Sequence, residues 1–303
     1  MECFKADKLK KNQILNYLCK INYFCQKQNI EFLVFKNLLT FTMNLQAESS
    51  TINLNEHFIL YRPAEKITGD FYWSKTVNNN LIICVADFSV QVISGSEISK
   101  FGIDSLNEII NYFETNSDKN ISASNIINEL IIKLKSSFSE ESKKTINHLN
   151  ISLIVINLNS NNYIYDIQWA GINNPFYFVK KEKLKSSDNS IIFYEKSTLN
   201  SNLYEINANE ISVENINSEN LSLTNHSFKL LKGDVIYLFS DGLVDQIGGP
   251  FGKKFMSNQL KNIIIDMTDN EIEDQKFVLD YAFELWKGDY PQIDDICIIG
   301  LKL

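Results

Sequence analysis

The sequence lacks the marks of a secreted, disulfide-bonded or membrane-spanning protein. Its five cysteines are scattered without a C-x-x-C pair, and an odd number of them does not describe a disulfide framework. No apolar run approaches the roughly 20 residues of a membrane-spanning helix. The first residues, MECFKADKLKKNQ, contain no apolar core followed by a cleavage site. We therefore predict a cytoplasmic protein without direct membrane insertion.

Positive charge is also scarce. The net charge is -8 and the pI is about 5.1, whereas a nucleic-acid-binding surface shows clustered Lys and Arg on a basic domain. We therefore predict no nucleic-acid partner. Among the 29 basic residues there is a single arginine, Arg62, in a chain rich in Lys, Asn and Ile. An arginine that persists in such a composition is a candidate functional residue.

The composition changes once near the N-terminus. Residues 8–46 contain no proline or glycine, and their apolar residues recur at helical spacing, which predicts one or two amphipathic helices. The polar stretch AESSTINLN that follows is typical of a linker. We therefore divide the chain into an N-terminal helical or regulatory segment, residues 1–50, and a compact domain, residues 51–303.

Groups of strands alternate with pairs of helices in the compact domain. Aromatic and β-branched runs predict strands, and helical periodicity predicts helices, in this order: HFILYR, GDFYWSKTV and LIICVAD as strands, Glu97–Phe113 and Ser124–Phe138 as helices, ISLIVINL, YIYDIQWA, PFYFVK and DVIYLFSDG as strands, Lys253–Ile265 and Glu271–Trp286 as helices, and DDICIIGLKL as the last strand. The polar interval 181–231 adds SIIFY and NLYEI as candidate strands. Short connections favour antiparallel pairing, so the predicted fold class is α+β, layered, with mainly antiparallel sheets.

Aspartates recur where apolar strands meet turns. They are Asp70 in TGDFYW, Asp87 in ICVADF, Asp241 in YLFSDG, and Asp294 with Asp295 in QIDDICIIG. One such aspartate is unremarkable, because Asp favours strand ends and turns. Several carboxylates gathered beside a core repel one another and lose hydration, so they normally need a cation. We therefore predict a metal site at these strand ends.

The type of ligand indicates the type of metal and of chemistry. Carboxylates without supporting His or Cys favour Mg²⁺ or Mn²⁺ over zinc. The three histidines, His57, His148 and His226, show no ligand spacing, and we interpret each as an ordinary surface or loop residue. Two ions held by shared carboxylates orient a phosphate and activate a water for phosphoryl transfer. Arg62 is either a bidentate clamp on that phosphate or part of a structural ion pair.

Several motifs, in order, resemble those of a known family. YRPAEKITGDFYW, the VAD strand with the helix after it, WAGINNPFYFV, LKGDVIYLFSDGLVDQIGGPFGKKF, FELWKGD and QIDDICIIGLKL together resemble the SpoIIE-like branch of the metal-dependent PPM serine/threonine phosphatases. The resemblance is closest to bacterial forms fused behind sensor or repeat modules. It implies an α-β-β-α sandwich of two mainly antiparallel sheets flanked by helices. It also implies a binuclear Mn²⁺ or Mg²⁺ centre between the sheets.

The resemblance implies roles for the first two acids and their neighbours. Asp70 is expected to bridge both metals, with Gly69 permitting close backbone approach. Asp87 is expected to bind one metal, assisted by the Phe88 carbonyl. The implied reaction is hydrolysis of phosphoserine or phosphothreonine on a signalling protein by metal-activated water, without a phosphoenzyme.

The family resemblance also implies roles for residues in the C-terminal part of the chain. Asp241 and Asp294 are expected to complete the metal shell, with Asp295 as the neighbouring alternate. The loop GGPFGKKF resembles a family loop that follows the third acid. Lys253 or Lys254 in this loop is expected to meet an acidic substrate.

The chain departs from the family pattern directly after the second acid. The family typically reads ADCTGHGVPGA there, whereas this chain reads ADFSVQVISGS. Glycine permits positive φ, and β-branched Val90 and Val92 are poorly suited to it, so the loop must take another path. If the change begins beyond Phe88, the ligands survive and activity is at most weakened by the altered loop 88–94. If the loop displaces Asp87, the domain is a catalytically degraded regulator or scaffold that binds a phosphoprotein.

Two further features leave alternatives open. No glycine-containing turn resembling PIGG is visible between residues 181 and 231, which puts the substrate-facing edge in doubt. The N-terminal helices either form a homodimer or regulatory contact, as segments before this domain commonly do in the family, or pack on their own domain.

Overall fold

The computed structural model describes residues 56–64, 69–90, 93–115, 121–137, 146–159, 163–181, 191–194, 202–212 and 222–303. The helices predicted within residues 8–46, and the dimer contact expected of them, lie outside these ranges. So do Gln91 and Val92 of the altered loop.

The described chain folds into thirteen strands and five helices. In chain order they are β1 (His57–Arg62), β2 (Asp70–Val77), β3 (Asn80–Val90), α1 (Gly95–Thr115), α2 (Ala123–Ser137), β4 (Ile146–Asn157), β5 (Ile164–Ile172), β6 (Phe176–Val179), β7 (Ile191–Tyr194), β8 (Leu203–Ile206), β9 (His226–Leu231), β10 (Val235–Phe239), α3 (Gly242–Asp245), β11 (Ile247–Gly248), β12 (Lys253–Lys254), α4 (Ser257–Met267), α5 (Ile272–Lys287) and β13 (Ile296–Lys302). The order of strand groups and helix pairs is the predicted one.

The strands form two large antiparallel sheets. The five-stranded sheet has the order β2-β3-β4-β5-β9, and the six-stranded sheet has the order β1-β13-β10-β6-β8-β7. A small hairpin, β11-β12, stands apart from both. SIIFY and NLYEI pair with each other at one edge of the six-stranded sheet, as β7 and β8.

Local signals in the sequence explain several element ends. Asn78 and Asn79 turn from β2 into β3 with φ of 46° and 60°, a left-handed conformation that Asn tolerates better than most residues. Ser94 and Glu97 cap α1 reciprocally, because the Ser94 hydroxyl accepts from the Glu97 amide at 3.3 Å while the Glu97 carboxylate accepts from the Ser94 amide at 3.2 Å. Ser122 caps α2 by accepting from the Asn125 amide. These caps fix where both helices begin.

One predicted helix starts later than expected. The spacing predicted a helix from Lys253, but the helix begins at Ser257. Residues 253–254 instead pair with residues 247–248 as a two-residue ladder, and Met256 has a φ of 73° that no α-helix permits. The prediction of the start was therefore wrong by one turn, because the hairpin pairing ends before the helix can begin.

Three apolar clusters define the layers. One lies between the sheets and contains the inward residues of both, among them Leu81, Ile83, Trp169, Ile236 and Ile299. A second joins the outer face of the five-stranded sheet to α1 and α2, and a third joins the outer face of the six-stranded sheet to α4 and α5. The α-β-β-α sandwich expected from the sequence is confirmed. Within the described residues, no helix combines the length and the apolarity that a membrane span requires.

Candidate metal centre

The five-stranded sheet places Asp70 and Asp87 side by side. β2 and β3 pair antiparallel, with Asp70 directly opposite Asp87. Because side chains alternate along a strand, Asp87 continues the inward face of Leu81, Ile83 and Val85, which belongs to the core between the sheets. Both carboxylates are thus held at the end of that core, and both are buried.

The six-stranded sheet brings the other acids to the same end. β10 and β13 pair antiparallel with Phe239 opposite Ile298. Asp241, which follows β10, therefore lies at the same end of these strands as the acids that precede β13. Gly242 makes this approach sterically allowed, since a Cβ there would lie 1.9 Å from the Asp295 carbonyl oxygen. The residue after Asp241 therefore has to be glycine for the two segments to meet this closely.

Gly69 has a similar role beside the second acid. Its φ is +123°, and a Cβ would lie 1.8 Å from the Phe88 carbonyl oxygen. The Phe88 side chain points away from the acids into the outer cluster, where its ring meets Phe71 edge to face at 5.2 Å. Phe88 therefore offers only its backbone to the site, and that backbone lies against Gly69.

Asp70 is the most electrostatically perturbed carboxyl group of the site. Burial first, and then the charges of Asp87, Asp294 and Asp295, raise its pKa from 3.8 to about 10. A weak contact with Ser240 offsets part of this rise, but it falls short of hydrogen-bond geometry, and both Asp70 carboxylate oxygens are buried without a hydrogen-bond partner. Without a cation, Asp70 therefore keeps its proton at neutral pH.

His148 lies between Asp87 and Asp241, which the sequence did not predict. Its Nε2 atom is 3.1 Å from Asp87 Oδ2 and 3.2 Å from Asp241 Oδ2. Hydrogen bonds first to Asp241 and then to Asp87 raise the pKa of His148 to about 10. Asn150, two residues along the same strand, donates from Nδ2 to Asp241 Oδ2 at 2.9 Å. The interpretation of His148 as an ordinary surface or loop histidine is therefore wrong.

The sequence-based prediction missed His148 because β4 starts earlier than the apolar pattern indicates. The sequence predicted the strand from Ile151, but β4 begins at Ile146 and pairs Asn150 with Asp87 and His148 with Ser89. Because alternate residues share a face, His148, Asn150 and Ser152 continue the inward face of Ile154. The signal available in the sequence was this polar alternation in NHLNIS ahead of an apolar strand.

Arg62 and Asp295 make contacts that hold elements together. The Arg62 guanidinium donates to Asp280 and Glu284 of α5 and stacks on the Phe283 ring, 4.7 Å from its centroid. Asp295 is fully buried, and its Oδ1 accepts from the Ala64 amide at 2.7 Å. Of the two roles left open for Arg62, this arrangement favours the structural ion pair.

The remaining predicted residues lie at the margin of the acid group. Asp294 is half-buried, and its Oδ1 accepts from the Asp295 amide at 2.8 Å, while its charge reaches Asp70. Lys253 and Lys254 are exposed on β12, where Lys254 Nζ donates to Asp245 Oδ2 at 2.8 Å. The β12 lysines therefore flank the short helix that Asp241 begins.

The donor set fits a divalent cation. Four buried oxygens of this region lack a hydrogen-bond partner: both carboxylate oxygens of Asp70, Oδ1 of Asp241 and Oδ1 of Asn150. Buried polar atoms without partners are rare and costly, and these oxygens belong to the class of ligand that Mg²⁺ and Mn²⁺ take. One ligand atom each from Asp87, His148 and Asp241 also lie within 4.8 Å of one another. The residues present therefore fit a metal, and they add an imidazole to the predicted carboxylates.

Comparison with known proteins identifies the fold. No protein-family model matches the sequence, and no curated protein matches it either. Solved structures do resemble the described fold. The SiaA-PP2C domain of Pseudomonas aeruginosa is 18% identical, with a TM-score of 0.62 over 82% of this chain and 85% of that one.

Two further structures resemble the chain in the same way. The phosphatase domain of the cell fate determinant SpoIIE from Bacillus subtilis is 12% identical, with a TM-score of 0.50 over 81% of this chain and 90% of that one. A bacterial serine phosphatase, solved as a point mutant, is 14% identical, with a TM-score of 0.51 over 82% of this chain and 97% of that one. At these identities the likeness is one of fold.

Proposed function

We propose, from the SpoIIE-like PPM phosphatase fold of this chain, that it is a metal-dependent phosphatase that hydrolyses phosphoserine or phosphothreonine on a protein partner. The observation that carries this proposal is the group of acids from both sheets at one end of the inter-sheet core, with four buried oxygens that lack a partner. A fold of this kind supports many functions, so the proposal depends on the site and not on the likeness alone.

Asp87 is the central ligand in this proposal. It is the acid that adjoins both parts of the site, because it lies opposite Asp70 in the β2–β3 ladder and groups with Asp241 around His148. Asp87 would therefore hold metal together with both Asp70 and Asp241. Asp294 and the Phe88 carbonyl would be additional oxygen ligands.

Each protein group has a definite task in this arrangement. Bound metal ions supply Lewis acidity to the phosphate and acidify a water molecule. Asp70 gives up its proton when cations enter, since its raised pKa reflects burial and neighbouring negative charge. Asn150 holds Asp241 in place through its hydrogen bond. Lys253 and Lys254 are proposed to contact the acidic substrate. Arg62 is proposed to act only in its ion pair with α5.

The non-catalytic alternative, a degraded domain that only binds a phosphoprotein, is less well supported. It required that the altered loop displace Asp87. In the described structure Asp87 instead stays in the ladder opposite Asp70. A site retained for protein binding alone gives no reason to keep buried carboxylates without partners.

A phosphatase assay tests the proposal. The full chain is incubated with phosphoserine, phosphothreonine and phosphotyrosine peptides, with Mn²⁺, Mg²⁺ or chelator. We expect metal-dependent release of phosphate from the first two, and a loss of about 100-fold or more in kcat/KM for Asp87→Asn and for Asp241→Asn. Asp166→Asn is the matched control, because Asp166 is an exposed aspartate of β5 that pairs with Lys229 of β9. No turnover above that of Asp87→Asn would refute the proposed activity.

A further inference from the structure

The ring nitrogen of His148 faces more polar groups than it can satisfy. Nε2 lies near Asp87 Oδ2 and Asp241 Oδ2, at 3.1 and 3.2 Å, and it also contacts the Asn150 amide nitrogen. That amide nitrogen is a donor, since it donates to Asp241. One ring nitrogen therefore meets two acceptors and one donor at the same place.

A proton on Nε2 satisfies this arrangement only in part. With a proton on Nε2, the N–H opposes the Asn150 N–H and has to be shared between the two carboxylates. Without that proton, its lone pair faces two carboxylate oxygens. A cation in the middle removes the conflict, because an imidazole lone pair and two carboxylate oxygens are all electron donors that converge on it.

The separations also suit ligands of one ion. Nitrogen and oxygen ligands lie about 2.0–2.2 Å from ions of this class, which sets adjacent ligands in an octahedral shell about 3 Å apart. The distances from Nε2 to the two carboxylate oxygens, 3.1 and 3.2 Å, match that spacing. The Asp87, His148 and Asp241 atoms can therefore occupy neighbouring positions on a single ion.

We infer that His148 is a nitrogen ligand of the metal centre and that it shifts the preference of the site from Mg²⁺ toward Mn²⁺ and other transition-metal ions. The inference rests on the proposed function, because it concerns the same site. Magnesium takes oxygen ligands almost exclusively, whereas imidazole suits transition-metal ions. An all-carboxylate centre has no such preference built into it.

The altered sequence after Asp87 explains why His148 lies at the site. β3 continues to Val90 instead of turning at glycines, and its extension pairs with the first residues of β4, Ser89 lying opposite His148. This extra pairing fixes His148 on the inward face, beside Asp87. The glycine-free sequence after Asp87 thus continues as a strand, and its pairing with β4 holds His148 beside Asp87.

Spectroscopy and metal binding on the full chain test the inference. Mn²⁺ bound to the unmodified protein is expected to show nitrogen hyperfine coupling by pulsed electron paramagnetic resonance. The coupling is expected to disappear in His148→Ala and in His148→Asn. His57→Ala is the matched control and is expected to keep it, because His57 lies at the other end of β1 from the acids. Only three histidines are present, so the assignment is direct.

Titrations give the second readout. We expect His148→Ala to raise the Kd for Mn²⁺ about 10-fold or more, and the Kd for Mg²⁺ by less than about 3-fold. Circular dichroism of each variant checks that the fold is kept. Mn²⁺ binding without nitrogen coupling, or tighter Mn²⁺ binding by His148→Ala, overturns the inference and leaves the phosphatase proposal standing. Absence of Mn²⁺ binding by the unmodified protein overturns both.

Discussion

Asp70 is the acid of the site that most needs a positively charged partner. It is 2% exposed and both of its carboxylate oxygens are without a hydrogen-bond partner. Its pKa of about 10 means that it is neutral at pH 7 in the metal-free protein. In the unfolded chain its pKa is near the ordinary value of 3.8, so the folded state binds one more proton between these values.

The first prediction concerns this proton. Because the folded state holds the proton and the unfolded state does not, the stability of the metal-free protein falls as pH rises from about 4 toward 10. Asp70→Asn removes that dependence. We expect it to stabilise the metal-free protein at pH 8 by at least about 1 kcal/mol, or roughly 2–4 °C in Tm, and to weaken stabilisation by Mn²⁺.

Thermal unfolding in chelator at several pH values measures this effect. Asp166→Asn serves again as the control, since it changes an exposed aspartate far from the acids. A metal-free Asp70→Asn variant that melts below the unmodified protein across the whole range contradicts the description of Asp70 as an unsatisfied buried acid.

A second prediction concerns Gly69. In Gly69→Ala the new Cβ would overlap the Phe88 carbonyl oxygen, and the residue would keep an unfavourable φ of +123°. We expect a loss of at least about 2 kcal/mol in the free energy of unfolding, together with weaker Mn²⁺ binding.

Gly288→Ala is the matched control for this substitution. Gly288 also has a positive φ, of 52°, but a Cβ there meets nothing within 4 Å. Its cost is limited to the backbone conformation, about 1–3 kcal/mol, and Mn²⁺ binding stays unchanged. Equal effects of the two substitutions on Mn²⁺ affinity, measured by titration, would show that contact with Phe88 is irrelevant to the site.

Arg62 links α5 to the six-stranded sheet. Its guanidinium, at the end of β1, donates hydrogen bonds to Asp280 and Glu284 on one face of α5 and packs on the Phe283 ring between them. The two carboxylates are one turn apart on the helix, a spacing that suits the planar fork of arginine. The arrangement accounts for an arginine at this position without any role in catalysis.

The third prediction separates the two roles of Arg62. Arg62→Ala is expected to lower the free energy of unfolding by about 1 kcal/mol, a modest value because the partner carboxylates are 42% exposed. The double variant Asp280→Asn/Glu284→Gln is expected to lose a similar amount, and the combination is expected to lose less than the sum.

Steady-state kinetics distinguish the ion-pair role of Arg62 from the role of phosphate clamp. If Arg62 acts only in the ion pair, KM for a phosphoserine peptide changes by less than about 2-fold in Arg62→Ala, measured at a temperature where each variant is folded. A KM increase of about 10-fold or more with unchanged stability would return Arg62 to the role of phosphate clamp.

The layers of the molecule could be predicted from the sequence better than the metal site could. Strand and helix periodicity predicted the α+β class, because each element's apolar face reflects the layer that it packs on. The family resemblance supplied the sandwich, and acids at strand ends indicated which edge holds the site. Asp87 and Asp241 lie there because antiparallel register brings strand ends together.

Two of the features that could not be predicted depend on contacts distant in sequence, and a third depends on a short hairpin. His148 enters the site through an extension of the β3–β4 ladder that the apolar pattern does not reveal, since the first residues of β4 are polar. Arg62 finds its carboxylates 218 and 222 residues away. The start of α4 is delayed by a two-residue hairpin too short to leave a periodic signal. In the first two cases contact with a remote segment overrides the local pattern, and in the third a short local hairpin does so.

We propose that both sheets contribute acids to one metal centre despite the altered loop, and a crystal structure with Mn²⁺ tests this proposal. Anomalous scattering at the manganese edge locates the ions independently of the protein density. We expect an anomalous peak between the sheets, within about 2.0–2.3 Å of carboxylate oxygens of both Asp87 and Asp241. Asp87 turned away from Asp70 and Asp241, with no anomalous peak between the sheets at saturating Mn²⁺, would contradict it.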